Sequence, residues 1–285
     1  MLYNLQIMKT LCLLALTALL PAQTLQVTSR LGTKFYSKPD TKGAVAAAQK
    51  ALAAEPKNAD LMFKLAQAQV SIWQDKEAVG TITKALAIRP DNAEYLTERG
   101  HRYLPLRDFV KAQADLKRAS ELDPKNMNAW YHLGLAHYFQ NHFADAADAF
   151  AHSVATAPNT DERINSTNWL YAALRRAGKT SEAASALEGI PADMTNTAPH
   201  TAHYLHLVRF FQKKMTETEA LPPVPPTGNK DDEVELPFDT VSYGIGNWYI
   251  YNGKSTEAQD YFKKVLKGYV WVTWGFIGSE LEVKK

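Results

Sequence analysis

The chain has 285 residues, of which 46% are hydrophobic and 22% charged, and its formal net charge at pH 7 is +2. This apolar content excludes an intrinsically disordered chain, and the nearly balanced charge lacks the basic excess typical of nucleic-acid binders. The length suits two globular domains or one elongated repeat array.

The N-terminal segment, residues 1–22, has the pattern of a secretory signal peptide. Lys9 precedes an apolar run at 11–20, which is shorter than the roughly 20 residues that a membrane span needs. Translation starts at Met1 or Met8, and cleavage is expected near Ala22. The single cysteine, Cys12, lies near the start of the run, where a lipid-anchor cysteine does not stand. We therefore expect an exported protein, periplasmic or secreted; the alternative is an apolar first helix that stays attached.

Four short proline-containing runs recur at a fixed interval along the chain. Each of them follows an apolar segment of helical period, and successive prolines are 34 residues apart, at Pro56, Pro90, Pro124 and Pro158. Proline ends a helix, and the Asn or Thr two residues later is a favourable N-cap for the next one. The spacing predicts repeated helix pairs, with units near 25–58, 59–92, 93–126, 127–160 and 164–190.

Within each unit, small residues recur where two helices must approach closely. The best-defined unit has Trp130, Leu133 and Gly134 on one helix and Ala146 and Phe150 on the next. This pattern, W-x2-L-G-x2-H…A-x3-F…P, resembles the tetratricopeptide repeat, with histidine where tyrosine is usual. The resemblance covers 59–158 well and implies an all-α fold, a right-handed superhelical solenoid of antiparallel helix pairs. Stacked pairs of this kind bury their apolar faces on one another.

The C-terminal third departs from the regular repeat. An amphipathic helix is expected over 198–215, followed by a proline-rich loop at 221–228 that the acidic run 231–233 continues. We assign 191–238 to this degenerate helix and loop. Residues 239–285 are expected to form a final repeat-like unit and an aromatic-rich capping helix over 271–283.

The sequence contains no recognisable catalytic or metal-binding motif. It lacks G-x-S-x-G, H-E-x-x-H and a phosphate-binding glycine loop. His200, His203 and His206 share one helix, but no acidic residue completes a metal motif near them, and His137 occupies a packing position. We therefore expect no enzyme activity, no cofactor and no metal site.

The first helix of each pair should present a stripe of residues to the inside of the superhelix, here called the inner face. Its aromatic and amide side chains suit a peptide, since aromatic faces bury side chains and amides pair with backbone groups. The chaperone-binding members of the family use a basic carboxylate clamp here, and this chain lacks it. The predicted partner-binding residues are Phe63, Gln67, Thr97, His101, Asn128, Tyr131, Leu135, Tyr138, Asn168 and Arg175.

These features predict a non-catalytic scaffold or adaptor that binds a peptide or protein partner in its groove. No nucleic acid and no membrane span of the mature chain are expected, and the partner's identity and the oligomeric state stay open. Two alternatives remain: a glycan or small-molecule binder using Tyr131, Tyr138 and Trp248, and an enzyme. The inner-face residues could also serve only to support the fold or to contact the chain's own C-terminal segment.

Overall fold

The computed structural model describes residues 23–191, 194, 197–199 and 201–284. Within them, a two-stranded hairpin precedes fourteen helices, so the predicted all-α solenoid is confirmed apart from this hairpin. The elements are β1 Leu25–Thr28, β2 Lys34–Tyr36, α1 Ala44–Ala54, α2 Ala59–Val70, α3 Asp75–Ile88, α4 Ala93–Tyr103, α5 Phe109–Leu122, α6 Met127–Phe139, α7 Phe143–Thr156, α8 Thr160–Arg176, α9 Thr180–Glu188, α10 Ala202–Phe211, α11 Glu217–Ala220, α12 Asp232–Tyr251, α13 Ser255–Val265 and α14 Trp274–Glu282.

The 34-residue spacing sets the start of four consecutive first helices. Asn58, Asn92, Asn126 and Asn159 are the N-caps of α2, α4, α6 and α8, and each side chain accepts a hydrogen bond from a backbone N–H of the first helical turn. Such caps satisfy donors that have no partner inside the helix. The pattern therefore predicted the starts of α2, α4 and α6 correctly, whereas the cap of α8 is Asn159 rather than Thr160 two residues after Pro158.

Glycines at the helix crossings confirm the predicted repeat register. A Cβ atom built on Gly134 would lie 2.6 Å from the ring of Phe150, and one on Gly100 would lie 2.5 Å from Leu116. Phe150 and Leu116 are fully buried. The second helix of each pair thus occupies the space that a larger residue at the glycine would need.

The N-terminal unit lacks the first helix that the repeat pattern predicted. In its place β1 and β2 pair antiparallel, with Val27 opposite Phe35 and an irregularity between Leu25 and Val27. Burial there changes from residue to residue, as in a strand, and Gly32 supplies a positive φ of 86° in the connecting turn. The predicted helix is wrong because so short a segment has too few apolar residues to distinguish the helical period of about 3.6 residues from the strand period of about two.

The C-terminal third also differs from the sequence prediction. The acidic run lies in α12 rather than in a loop: the Asp231 side chain caps the helix by accepting from the N–H of Glu233, and acidic residues fill the first turn, where the helix dipole favours negative charge. Pro237 lies inside this helix. Helix α10 is shorter than predicted, and α14 starts at Trp274 rather than at residue 271.

One continuous apolar core joins the repeat array to the C-terminal helices. It runs from Leu104 and Leu116 through Tyr138 and Trp169 to Ile277. A second cluster fills α2 to α4, and a third, small one surrounds Trp271, Phe276 and the hairpin. None of the helices in the described part of the chain combines the length and apolar character needed to cross a membrane.

Candidate functional site

The inner face of the array is occupied by the chain's own C-terminal helices. Tyr138 on α6 accepts a hydrogen bond from the side-chain amide of Asn247 on α12. The rings of Trp169 on α8 and Tyr243 on α12 lie 5.8 Å apart. The groove that the repeats form is therefore filled along this part by α12.

Helix α14 covers the inner face nearer the N-terminal end. The Trp274 ring lies 5.3 Å from His101 and 5.8 Å from His132, and the two imidazoles stack on each other at 3.9 Å. Burial lowers the pKa of His132 to about 3, so its ring is neutral at physiological pH. Burial lowers the pKa of His101 as well, so the two imidazoles stack without the mutual repulsion of two imidazolium ions.

Two ion pairs with little exposure to solvent connect α14 to the array. Arg107, between α4 and α5, contacts Glu280 at 2.9 Å, and Arg176 at the end of α8 contacts Glu282 at 2.7 Å. Burial lowers the pKa of Arg107, and the charge of Glu280 opposes that shift. Removing either member of such a pair leaves an uncompensated buried charge, which costs far more than an exposed pair contributes.

The two ends of the described chain also meet. Phe35 in β2 stacks on Trp271 at 5.4 Å, and the Trp271 indole N–H donates to the carbonyl of Tyr36 at 3.3 Å. Lys38 forms an ion pair with Asp232 at 2.5 Å. The hairpin therefore closes the array against the segment that fills it.

Six of the ten predicted partner-binding residues are buried: Phe63, Thr97, Tyr131, Leu135, Tyr138 and Asn168. The expectation of an open groove lined by them is corrected, because packing against α12, α14 and neighbouring repeat helices covers them. Tyr138 is 2% exposed, and a partner could reach it only if α12 moved. His101 and Arg175 are partly buried, whereas Gln67 and Asn128 are exposed. Binding by these residues stays a prediction.

An open cleft of about 580 Å³ remains beside the filled part of the inner face. It lies between α8, the end of α10 and α12. Its lining combines aromatic and basic side chains with one acidic residue, Glu219, and consists of Tyr171, Arg175, Phe210, Phe211, Lys213, Lys214, Met215, Thr216, Glu219, Trp248 and Asn252.

Arg175 holds a fixed position in this cleft. Its guanidinium donates to the Tyr171 hydroxyl at 3.0 Å and to the Asn252 side-chain oxygen at 3.2 Å, and it lies 4.5 Å from the centre of the Tyr251 ring. These two hydrogen bonds use only part of the donor set of a guanidinium. Arg175 is thus pre-oriented and still able to bind an anionic group.

Sequence reasoning named Arg175 and Trp248 but missed the basic pair beside them. Lys213 and Lys214 are exposed where α10 ends, and Lys213 has a positive φ of 59°. The signal available was the adjacent Phe-Phe and Lys-Lys pairs at 210–214. Their position against α8 and α12 depends on the path of the irregular segment, which the sequence did not indicate.

Two buried carboxyl groups on α12 have structural partners. Glu235 accepts hydrogen bonds from the backbone N–H groups of Tyr269 and Val270, and Asp239 accepts one from the Thr273 hydroxyl at 2.8 Å. Burial raises the pKa of Asp239 to about 8. These contacts hold the turn before α14 against α12, which is a packing role.

The structure describes two of the three histidines that were predicted to share one helix. His203 is buried and His206 is partly exposed, while His200 lies outside the described residues. The predicted signal peptide, residues 1–22, lies outside them as well.

Comparison with protein families finds the tetratricopeptide repeat, with models matching residues 38–97 and 97–160. This finding confirms the repeat over the region where its pattern was clearest. No curated protein matches the chain.

Similar solved structures include a MamA protein, 23% identical, with a TM-score of 0.48 over 52% of this chain and 80% of that one. Another is MamA residues 41 to the end from Desulfovibrio magneticus RS-1, 19% identical, with a TM-score of 0.47 over 52% of this chain and 82% of that one.

Proposed function

We propose that this protein is a non-catalytic scaffold that binds an acidic segment of a protein partner in the cleft between α8, α10 and α12. The observation that carries the proposal is the convergence of Arg175, Lys213 and Lys214 with Trp248 in this open cleft. Repeat arrays commonly use this face for binding. The proposal assigns no reaction to the protein.

The charge and shape of the cleft support a peptide of this chemistry. Three cationic groups face one carboxylate, Glu219, so the cleft attracts negative charge. Trp248 and Phe210, whose rings lie 5.3 Å apart, provide apolar surface beside the charges. Rigid aromatic side chains of this kind contribute strongly to interfaces because they lose little entropy on binding.

The test compares binding of displayed peptides by the wild-type protein and by Lys213→Glu with Lys214→Glu. We expect the selected peptides to be rich in Asp and Glu and the double variant to lose at least about tenfold in affinity, in the range of a single strong interface contact. The matched control is Lys50→Glu with Lys84→Glu, the same charge change at exposed positions on α1 and α3. Equal loss in the control, or selection of neutral peptides, would contradict the proposal.

A glycan or small molecule remains the second candidate for the same cleft. Trp248 and Phe210, both partly exposed, line it, and its volume lies in the range of about 300–1,000 Å³ common for ligand sites. The predicted role of Tyr131 and Tyr138 in such binding is not carried forward, because both are buried. Binding to a glycan array that Trp248→Ala abolishes and the lysine double variant retains would favour this candidate.

We also propose that the protein acts outside the cytoplasm, as its N-terminal sequence predicts. The support is Lys9, the apolar run at 11–20 and the cleavage pattern near Ala22. Intact-mass measurement of the exported protein tests it. A mature mass that includes residues 11–20 would contradict both the cleavage and the compartment.

A further inference from the structure

Three side chains with metal-ligating atoms converge at the turn between α6 and α7. His137, His142 and Asp145 each offer one such atom, and these atoms lie within 4.8 Å of one another. Two ligand atoms of a tetrahedral zinc ion lie about 3.4 Å apart, since each is about 2.1 Å from the metal. The atoms must therefore approach one another by at most about 1.4 Å to bind one ion, which rotation of the side chains about their χ angles allows.

The backbone of the turn brings these positions together. His142 N–H donates to the carbonyl of His137 at 3.0 Å, and Asn141 in the left-handed region, with φ of 63°, reverses the chain. His142 is the N-cap residue of α7, and Asp145 lies in its first turn. All three residues thus stand on rigid helix ends, with His142 and Asp145 exposed and His137 partly buried.

Other repeats show that this turn places the corresponding side chains in contact. One repeat earlier, Asp108 N–H donates to the Tyr103 carbonyl at 3.0 Å, and Lys111 pairs with Asp108 at 2.7 Å. In the following repeat, Lys179 and Glu182 stand at the same two positions, 3.5 Å apart. The turns before α5 and α9 therefore bring oppositely charged side chains together, and the same turn before α7 brings together two imidazoles and a carboxylate.

The state of His137 suits a ligand. Its Nδ1 is buried and has no hydrogen-bond partner among the described residues. A buried ring nitrogen without a partner is an atom that a bound metal ion would satisfy.

We propose that His137, His142 and Asp145 bind a divalent transition-metal ion of the zinc class. Two imidazoles and one carboxylate match the ligand preferences of zinc, and water completes the coordination because the cluster opens to solvent. The site lies in the fourth repeat, outside the partner cleft, so it stands independently of the proposed function.

The test is calorimetric titration of the tag-free protein with Zn²⁺. We expect saturable binding of one ion, weakened at least about tenfold by His142→Ala and by Asp145→Asn, because each removes a ligand. The matched control is His152→Ala, an exposed histidine on the same helix whose ring stacks on Trp130 at 4.3 Å. Its affinity for Zn²⁺ should equal that of the wild type.

Imidazole NMR resonances provide a second measurement on the same proteins. Zn²⁺ should shift the signals of His137 and His142 and leave that of His152 in place. The proposal is overturned if the wild type shows no saturable binding, if His142→Ala binds as tightly as the wild type, or if His152→Ala loses affinity equally.

Discussion

The buried pair between Arg107 and Glu280 offers the sharpest test of how the C-terminal helix is held in the array. The Arg107 and Glu280 side chains are 11% and 2% exposed, and the charged atoms lie 2.9 Å apart. Among the described residues, Arg107→Met leaves Glu280 with the backbone N–H of Arg30, which donates to its other carboxylate oxygen at 3.2 Å. Losing one member of a buried pair costs about 3–5 kcal/mol. We expect Arg107→Met to lower the unfolding free energy by about 3 kcal/mol, because the remaining hydrogen bond from Arg30 offsets part of the cost.

The double variant Arg107→Met with Glu280→Leu separates pairing from packing. Replacing both charges by apolar groups of similar size is often nearly neutral, so its loss of unfolding free energy should be smaller than the sum of the two single losses by about 2 kcal/mol or more. Urea denaturation followed by tryptophan fluorescence and by circular dichroism measures these values. The Trp271 ring lies 5.6 Å from the Arg107 guanidinium and Trp274 is the first residue of α14, so both indoles should report on detachment of α14.

Two results would refute this reasoning. Additive losses in the double variant would mean that the two charges are not coupled. A change within about 0.5 kcal/mol for Arg107→Met, the range of an ordinary surface substitution, would mean that α14 is not held in the groove by this pair.

Three further predictions concern packing and protonation. Gly134→Leu should lower the unfolding free energy by about 3 kcal/mol, since its Cβ would lie 2.6 Å from the buried ring of Phe150. Gly80→Ala is the control, because the space around Gly80 is open, and it should stabilise the protein slightly. Thermal melting measures both variants. Tyr131→Ala with Tyr138→Ala should destabilise by several kcal/mol rather than leave the fold intact, because both rings are buried; an unchanged melting temperature would contradict this. In the folded protein the pKa of Asp239 is raised to about 8, so its carboxyl group keeps a proton that the unfolded chain loses above pH ~4. The wild-type protein therefore becomes less stable as pH rises between these two values. The stability of Asp239→Asn relative to wild type should therefore rise over this window, by up to about 1.4 kcal/mol per pH unit in denaturation at several pH values.

The sequence alone determined the repeat array because its signals are local. The 34-residue interval, the Asn caps such as Asn126 and the small residues such as Gly134 act within one helix pair, at separations of a few to about twenty residues. Each signal agrees with the others, so the register of α2 to α7 follows from the pattern. The same agreement identified which residues of each first helix face inward.

What faces those residues was decided only by the tertiary structure. Asn247 reaches Tyr138 across 109 positions, and Glu280 reaches Arg107 across 173. No helical period encodes a contact at such a distance, because it depends on the path of the irregular segment between α9 and α12. An aromatic residue that will bind a partner and one that will bury against its own chain give the same local pattern, since both need an apolar surface beside the packing stripe. The fold of the repeats therefore followed from the sequence, whereas the covering of their inner face required the folded chain.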